Sequence, residues 1–142
     1  MPLPPELIAA YVNADYVVFG KMPGDPELVL RVGEPSGRLD AMLEAAGAAT
    51  AAFLTAANPR SEPRGEAENA SAFQTLESLL GQSQFRLHRG EGRDPEGRWA
   101  PEPSILVLGI YRANAMALGA LFAQNAIVFV EKGQAPELVL LG

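Results

Sequence analysis

Apolar and polar residues repeat with both helix and strand periods along the first part of the chain. Apolar residues at helical spacing predict a helix from about Pro5 to Asn13, with proline in the first turn, where its missing N–H costs nothing. β-branched and aromatic runs predict strands at residues 16–19 and 28–32. Turn-forming residues at 23–26 connect them, so we expect a hairpin.

A capped helix is predicted after Ser36. Apolar residues follow at i, i+3, i+4 and i+7, and Gly47 can adopt the left-handed conformation that ends a helix. The remaining predicted elements are a strand at 51–55, a polar loop at 56–65, a helix at 70–80, a strand at 84–88, an irregular segment at 89–101, a strand at 104–110, a helix at 112–123, and strands at 126–130 and 138–141.

Together these elements predict a single two-layer α+β domain over residues 1–142, with one sheet and three to four helices. A mixed-sheet α/β arrangement is the alternative. The 142 residues, of which 48% are hydrophobic, are enough for a well-packed core.

Composition excludes several classes of site and partner. The chain has no cysteine and one histidine, His88, so thiolate metal centres and two-histidine motifs are absent, and we expect no metal and no cofactor. The net charge of −6 argues against a dedicated binder of nucleic acid or anionic membranes. The opening segment lacks the basic residues and apolar run of a secretory signal, and no stretch has the length of a membrane span, so we expect a cytoplasmic protein.

Two loops hold the candidate binding residues. The first, at 56–66, contains Asn58, Arg60, Ser61 and Arg64 directly after an apolar strand. Ligands often gather beyond strand ends, and arginines there could bind a phosphate or carboxylate. The alternative is a turn whose side chains bond only to their own backbone.

The second loop, at 88–104, carries further arginines. Residues 60–98 contain six of the 11 basic residues and seven of the 17 acidic ones, so positive charge is concentrated around these loops. That distribution favours a small anionic ligand, nucleotide-like or an acidic metabolite. Alternatively, the arginines pair with neighbouring acids.

Glu102 lies between two prolines just before a strand. It could act as a general base or anchor a hydroxyl or amine, or it could be an exposed edge residue. Trp99 could cover a planar ligand or pack on the core, and Gln124 could line a pocket.

Four segments together resemble a known family. Residues 53–61 are similar to F-[IL]-T-A-x-N-P-x-S, and Glu68-Asn69 follows at a fitting distance. Residues 90–99 then lead into 102–109, and residues 122–127 resemble F-G-Q-N-A-[IV]. The combination resembles the bacterial family catalogued as domain of unknown function 3293, which implies no activity. Ala57 stands where a large aromatic residue is common, and Ala123 where glycine is common.

The resemblance marks positions that match the family's motifs, namely Asn58, Ser61, Asn69, Glu102, Ser104 and Gln124. With Arg60 and Trp99, these are our candidate ligand-binding residues.

Three hypotheses follow. The first is a small-molecule binding domain with its pocket between the two loops. The second is a hydrolase-type enzyme in which Glu102 acts as acid or base and Asn58 or Ser61 assists. The third is a homodimeric interaction module that uses the alanine-rich helix at 112–123, whose apolar face is Ala113, Met116, Ala117, Ala120 and Leu121.

Overall fold

A computed structural model describes residues 3–141. Met1, Pro2 and Gly142 lie outside it, and with them part of the opening segment considered above. The elements are α1 (Pro5–Asn13), β1 (Asp15–Val18), β2 (Leu28–Leu30), α2 (Gly37–Ala46), β3 (Thr50–Thr55), a 3-10 turn (Pro59–Ser61), α3 (Glu66–Gly81), β4 (Arg86–Arg93), β5 (Glu102–Leu108), α4 (Arg112–Leu121), β6 (Ala126–Glu131) and β7 (Glu137–Leu140). Among these residues, no helix has the length and apolarity needed to cross a bilayer.

The seven strands form one sheet in the order β2-β1-β4-β5-β3-β6-β7. Every neighbouring pair is antiparallel, including the predicted β1–β2 hairpin. The predicted α+β domain with one sheet and three to four helices is confirmed, and the sheet contains no parallel pair of the mixed α/β alternative among residues 3–141.

Helices cover both faces of the sheet. Phe53 of β3 packs in one hydrophobic cluster with Leu39 of α2, while the next residue, Leu54, packs in the other with Leu76 of α3 and Ala115 of α4. The two-layer arrangement that we expected would place the helices on one face only. The difference arises because the central strands are apolar at consecutive positions, so both of their faces need cover.

The caps of α2 agree with the sequence, whereas α3 begins earlier than predicted. Ser36 Oγ accepts the Leu39 N–H at 3.2 Å, and Gly47 has φ 66°. Helix α3 starts at Glu66 rather than residue 70, and no side chain caps it at Gly65. A polar first turn without a capping side chain offers little sequence evidence for a helix.

The prediction of an irregular segment at 89–101 is wrong for its first five residues, because β4 continues to Arg93. Gly90 permits this continuation. A Cβ there would lie 1.9 Å from the carbonyl oxygen of Val17 in the neighbouring strand, so β1 can approach β4 this closely only beside glycine. Gly90, which suggests a loop in the sequence, instead serves strand packing.

The apolar face that the sequence suggests for the 112–123 helix is not the face that packs on the sheet. Ala115 and Gly119 of α4 are buried, whereas Ala113, Ala117 and Ala120 are exposed. At Gly119, a Cβ would lie 2.6 Å from Leu141 and 2.7 Å from Ile127, which shows how closely α4 packs on the sheet. Ala115 and Gly119 therefore serve packing within the chain, whereas the exposed alanines leave the predicted interaction face open to solvent.

The glycines at positions 90 and 92 provide a matched test of strand packing. We expect Gly90→Ala to lower the free energy of unfolding by about 2 kcal/mol or more, because the added methyl group meets β1 backbone. At Gly92 a Cβ meets nothing within 4 Å, so Gly92→Ala should raise it by about 0.5–1 kcal/mol. Urea unfolding of both variants measures this, and equal effects would contradict the assignment.

Candidate functional site

A cavity of about 200 Å³ opens at the end of the sheet where β3 ends and β5 begins. It lies on the face that carries Phe53. Six of the eight candidate residues line it, namely Asn58, Ser61, Trp99, Glu102, Ser104 and Gln124. Arg60 and Asn69 do not line it. The two loops and the β6 side of the sheet therefore meet at one site, although they are far apart in sequence.

The floor of the cavity is one row of residues across three strands. Tyr16 of β1 pairs with Gly92 of β4, which pairs with Glu102 of β5. Because Gly92 has no side chain and nothing lies within 4 Å of a Cβ placed there, it leaves space between Tyr16 and Glu102. A glycine in a strand interior thus contributes to the cavity's volume.

Helix α1 forms the roof. Leu7, Ala10 and Tyr11 share one helical face and line the cavity, although no residue of α1 is fully buried. The Tyr11 hydroxyl hydrogen bonds with Ser61, and the Tyr16 hydroxyl donates to the Tyr11 carbonyl. These bonds connect the roof to the first loop and to the floor.

A reciprocal amide pair sets the orientation of Asn58. Asn69 Oδ1 accepts the Asn58 backbone N–H at 3.0 Å, and Asn69 Nδ2 donates to Asn58 Oδ1 at 2.9 Å. The backbone N–H of Arg64 also donates to Asn58 Oδ1, at 3.0 Å. With its oxygen occupied by two donors, the Asn58 amide must direct Nδ2 away from them, towards Glu102 Oε2 at 2.7 Å.

The first loop is held in an unusual backbone conformation. Asn58, Arg60 and Ser61 have φ of 46°, 56° and 62°, a region that side chains disfavour. Ala123, with φ 55°, faces this loop, and its carbonyl accepts the Arg60 N–H at 2.7 Å. Such strain persists where surrounding contacts impose it, and it is common at binding sites.

Glu102 is the only charged side chain that lines the cavity within residues 3–141. Burial raises the pKa of this carboxyl group, and the hydrogen bond from Asn58 partly offsets that rise. The carboxylate has no arginine or lysine partner among the ion pairs of the described chain. Burial also raises the pKa of Tyr16 far above its usual range, with smaller contributions from Tyr11 and Glu102.

The other polar residues of the lining offer mainly acceptors. Ser104 donates its hydroxyl to the Glu102 carbonyl at 2.8 Å, which leaves its oxygen lone pairs. Gln124 Nε2 donates to the carbonyls of Ala57 at 3.0 Å and Phe122 at 3.2 Å, which leaves Oε1. Together with Glu102, these groups favour a partner that donates hydrogen bonds.

The arginines of the two loops lie away from the cavity. Arg64 donates from Nε to Asn69 Oδ1 and from Nη2 to the Ala56 carbonyl, both at 3.1 Å, so it supports the loop. Arg89, Arg93 and Arg98 form ion pairs with acidic neighbours. These three arginines therefore fit the alternative stated above, in which arginines pair with neighbouring acidic side chains, better than a shared anion site.

Sequence reasoning missed the α1 and β1 contributions to the site, among them Tyr11, Tyr16 and Gly92. The contact between Tyr11 and Ser61 joins residues 50 positions apart, and no local pattern predicts it. The helical spacing of Leu7, Ala10 and Tyr11 was the available indication that α1 covers something apolar. Gly92 carried no such indication, since it sits in a segment that suggests a loop.

A match to a family model covers residues 54–127, just over half of the chain. The family is described as "Protein of unknown function (DUF3293)". The chain belongs to this family. The matched segment contains all eight candidate residues, whereas the α1 roof and Tyr16 lie before it. A search of curated proteins and a search of solved structures found no match.

The raised pKa of Glu102 predicts a specific dependence of stability on pH. The folded protein keeps this proton at pH values where an unfolded glutamate, with pKa about 4.3, has lost it. The free energy of unfolding should therefore fall as pH rises from that value through the higher native pKa. Glu102→Gln removes the titration and keeps an acceptor for Asn58.

Urea unfolding of wild type and Glu102→Gln across this pH range tests the prediction. The difference in unfolding free energy, wild type minus variant, should decrease as pH rises, because other titrations cancel. A difference that stays constant or increases would show that burial does not disfavour the carboxylate.

Proposed function

We propose that this protein binds a small molecule in the cavity under α1, through a hydrogen-bond donor on the ligand that meets Glu102. The observation that carries the proposal is the orientation of this carboxylate. Asn58 fixes Oε2 at 2.7 Å, while Oε1 has no hydrogen-bond partner among residues 3–141. No side-chain oxygen in residues 3–141 is both buried and without a partner, so Oε1 is open to the cavity and can accept a hydrogen bond from a ligand.

The surroundings of Glu102 suit a ligand with an apolar body. Leu7, Phe53, Val128 and Leu138 contribute to the walls, and the acceptors on Ser104 and Gln124 supply further polar contacts. Small-molecule sites typically combine mostly apolar walls with a few oriented polar groups. The Asn58–Asn69 pair adds a supporting layer behind the carboxylate, which holds the site in place before a ligand arrives.

The sign of charge argues against the anionic ligand that the arginines suggested. Neither Arg60 nor Arg64 lines the cavity, and Glu102 would repel an anion. A neutral or positively charged donor fits the described lining better. Arg60 is exposed outside the cavity, and its contact with a ligand stays a prediction.

A hydrolase is the second candidate. Asn58 and Glu102 line the same cavity in hydrogen-bond contact, and a raised pKa suits a general acid. The hydroxyl of Ser61 contacts Tyr11 and Asn125 rather than a base, so the enzyme version depends on Glu102 with water as the nucleophile. The homodimer and the cytoplasmic location stay predictions.

Four probes that share one ring test the binding proposal: benzylamine, benzyl alcohol, benzamide and benzoate. We expect at least one of the first three, at millimolar concentration, to shift backbone NMR signals of β4 and β5 beside the cavity. Benzoate should bind more weakly than these. Conversion of benzamide to benzoate in the same samples would reveal hydrolysis.

Gly92→Val is the matched control, because its side chain occupies the cavity and suits a strand. The variant should stay folded and lose the probe-induced shifts. No binding by any probe, or binding that persists in Gly92→Val, would contradict the proposed site. Tighter binding of benzoate than of benzyl alcohol would instead support the anionic ligand.

A further inference from the structure

We propose that the ligand is a small organic cation, with an ammonium group beside Glu102 and an apolar substituent among aromatic side chains. The inference rests on the proposed function and names the ligand class of the same site. It depends on two independent features of the lining, which are the unpaired negative charge and the concentration of aromatic rings.

The first feature is the lack of a positive partner for Glu102. Its one intramolecular side-chain hydrogen bond within residues 3–141 comes from the neutral Asn58 amide. The nearby guanidinium of Arg64 is held behind the loop by Asn69 and the Ala56 carbonyl. Because opposite charges attract more strongly away from bulk water, a ligand cation gains more at this carboxylate than a neutral donor does.

The second feature is an aromatic enclosure. Tyr11, Tyr16, Phe53 and Trp99 line the cavity from α1, β1, β3 and the segment before β5. Tyr16 and Phe53 form an edge-to-face pair with centroids 5.3 Å apart. Ammonium groups are attracted to aromatic faces, and alkyl substituents on the nitrogen gain apolar contact there as well. A carboxylate among aromatic rings is therefore suited to substituted ammonium ions.

The same lining disfavours a metal ion as the cation. No group of three or more histidine, cysteine, aspartate or glutamate side chains with metal-binding geometry occurs in residues 3–141. One carboxylate and aromatic walls cannot replace the hydration shell of Mg²⁺ or Ca²⁺, which need six or more oxygen ligands. Organic ammonium ions are weakly hydrated on their apolar side, so they lose less on entering.

The test compares charged and neutral ligands of matched shape near neutral pH. The pairs are benzylammonium with benzyl alcohol, and choline with its neutral analogue carrying a tert-butyl group. We expect each cation to bind at least about tenfold more tightly than its neutral partner, measured by NMR titration or calorimetry. Glu102→Gln should lower this ratio to the smaller preference that the aromatic rings supply, while benzyl alcohol still binds.

The variant Trp99→Leu separates the attraction between the cation and the tryptophan ring from the apolar contact that any large side chain makes. Leucine keeps apolar contact but lacks the ring face, so the affinity for the cations should fall severalfold more than that for the neutral partners, and Trp99→Phe should restore part of it. If the neutral partners bind the cavity as tightly as the cations, the cation inference is wrong and the binding proposal stands. If no ligand of either pair and none of the four ring probes binds, both fail.

Discussion

The reciprocal hydrogen bonds between Asn58 and Asn69 are the interaction on which the site depends. They occupy the oxygen of one amide so that its nitrogen faces Glu102, and they hold the Asn58 backbone in a left-handed conformation. Each such backbone conformation lowers stability by about 1–3 kcal/mol and persists only where neighbouring contacts impose it. Asn69 on α3 supplies that constraint from outside the cavity, so a rigid helix positions a strained loop.

The features that reduce stability are concentrated at one end of the sheet. Glycine in the β4 interior, an unpaired carboxylate and positive φ angles at Asn58, Arg60 and Ser61 all occur around the cavity. Elsewhere β3 and β5 are buried on both faces by α2, α3 and α4. Destabilising residues and backbone conformations that cluster in this way are expected at functional sites. The well-packed remainder of the domain offsets their cost in stability.

The fold was predictable where local chemistry determines it. Ser36 and Gly47 mark the ends of α2, and Pro5 marks the start of α1, because capping groups act within a few residues. Prediction failed where a residue serves a distant partner. Gly90 suggests a loop in the sequence, and only its contact with β1 explains why glycine stands in a strand. The face of α4 that is buried is likewise set by the close packing of Gly119 on β6. For the site, motifs in the loops indicated Asn58 and Glu102, but no local sequence pattern predicts that Tyr11 and Tyr16 lie beside them.

The most direct test of this account is the pKa of the Glu102 carboxyl group in folded wild type and Asn69→Ala, followed by NMR titration. Asn69 does not line the cavity and makes no hydrogen bond to Glu102, so it acts on this carboxyl group by orienting Asn58, while the Ala56 carbonyl still holds Arg64 in Asn69→Ala. Since the Asn58 hydrogen bond lowers the pKa of Glu102, releasing that amide should raise the pKa further. An unchanged pKa in the folded variant would contradict the claim that Asn69 orients Asn58 towards the carboxylate.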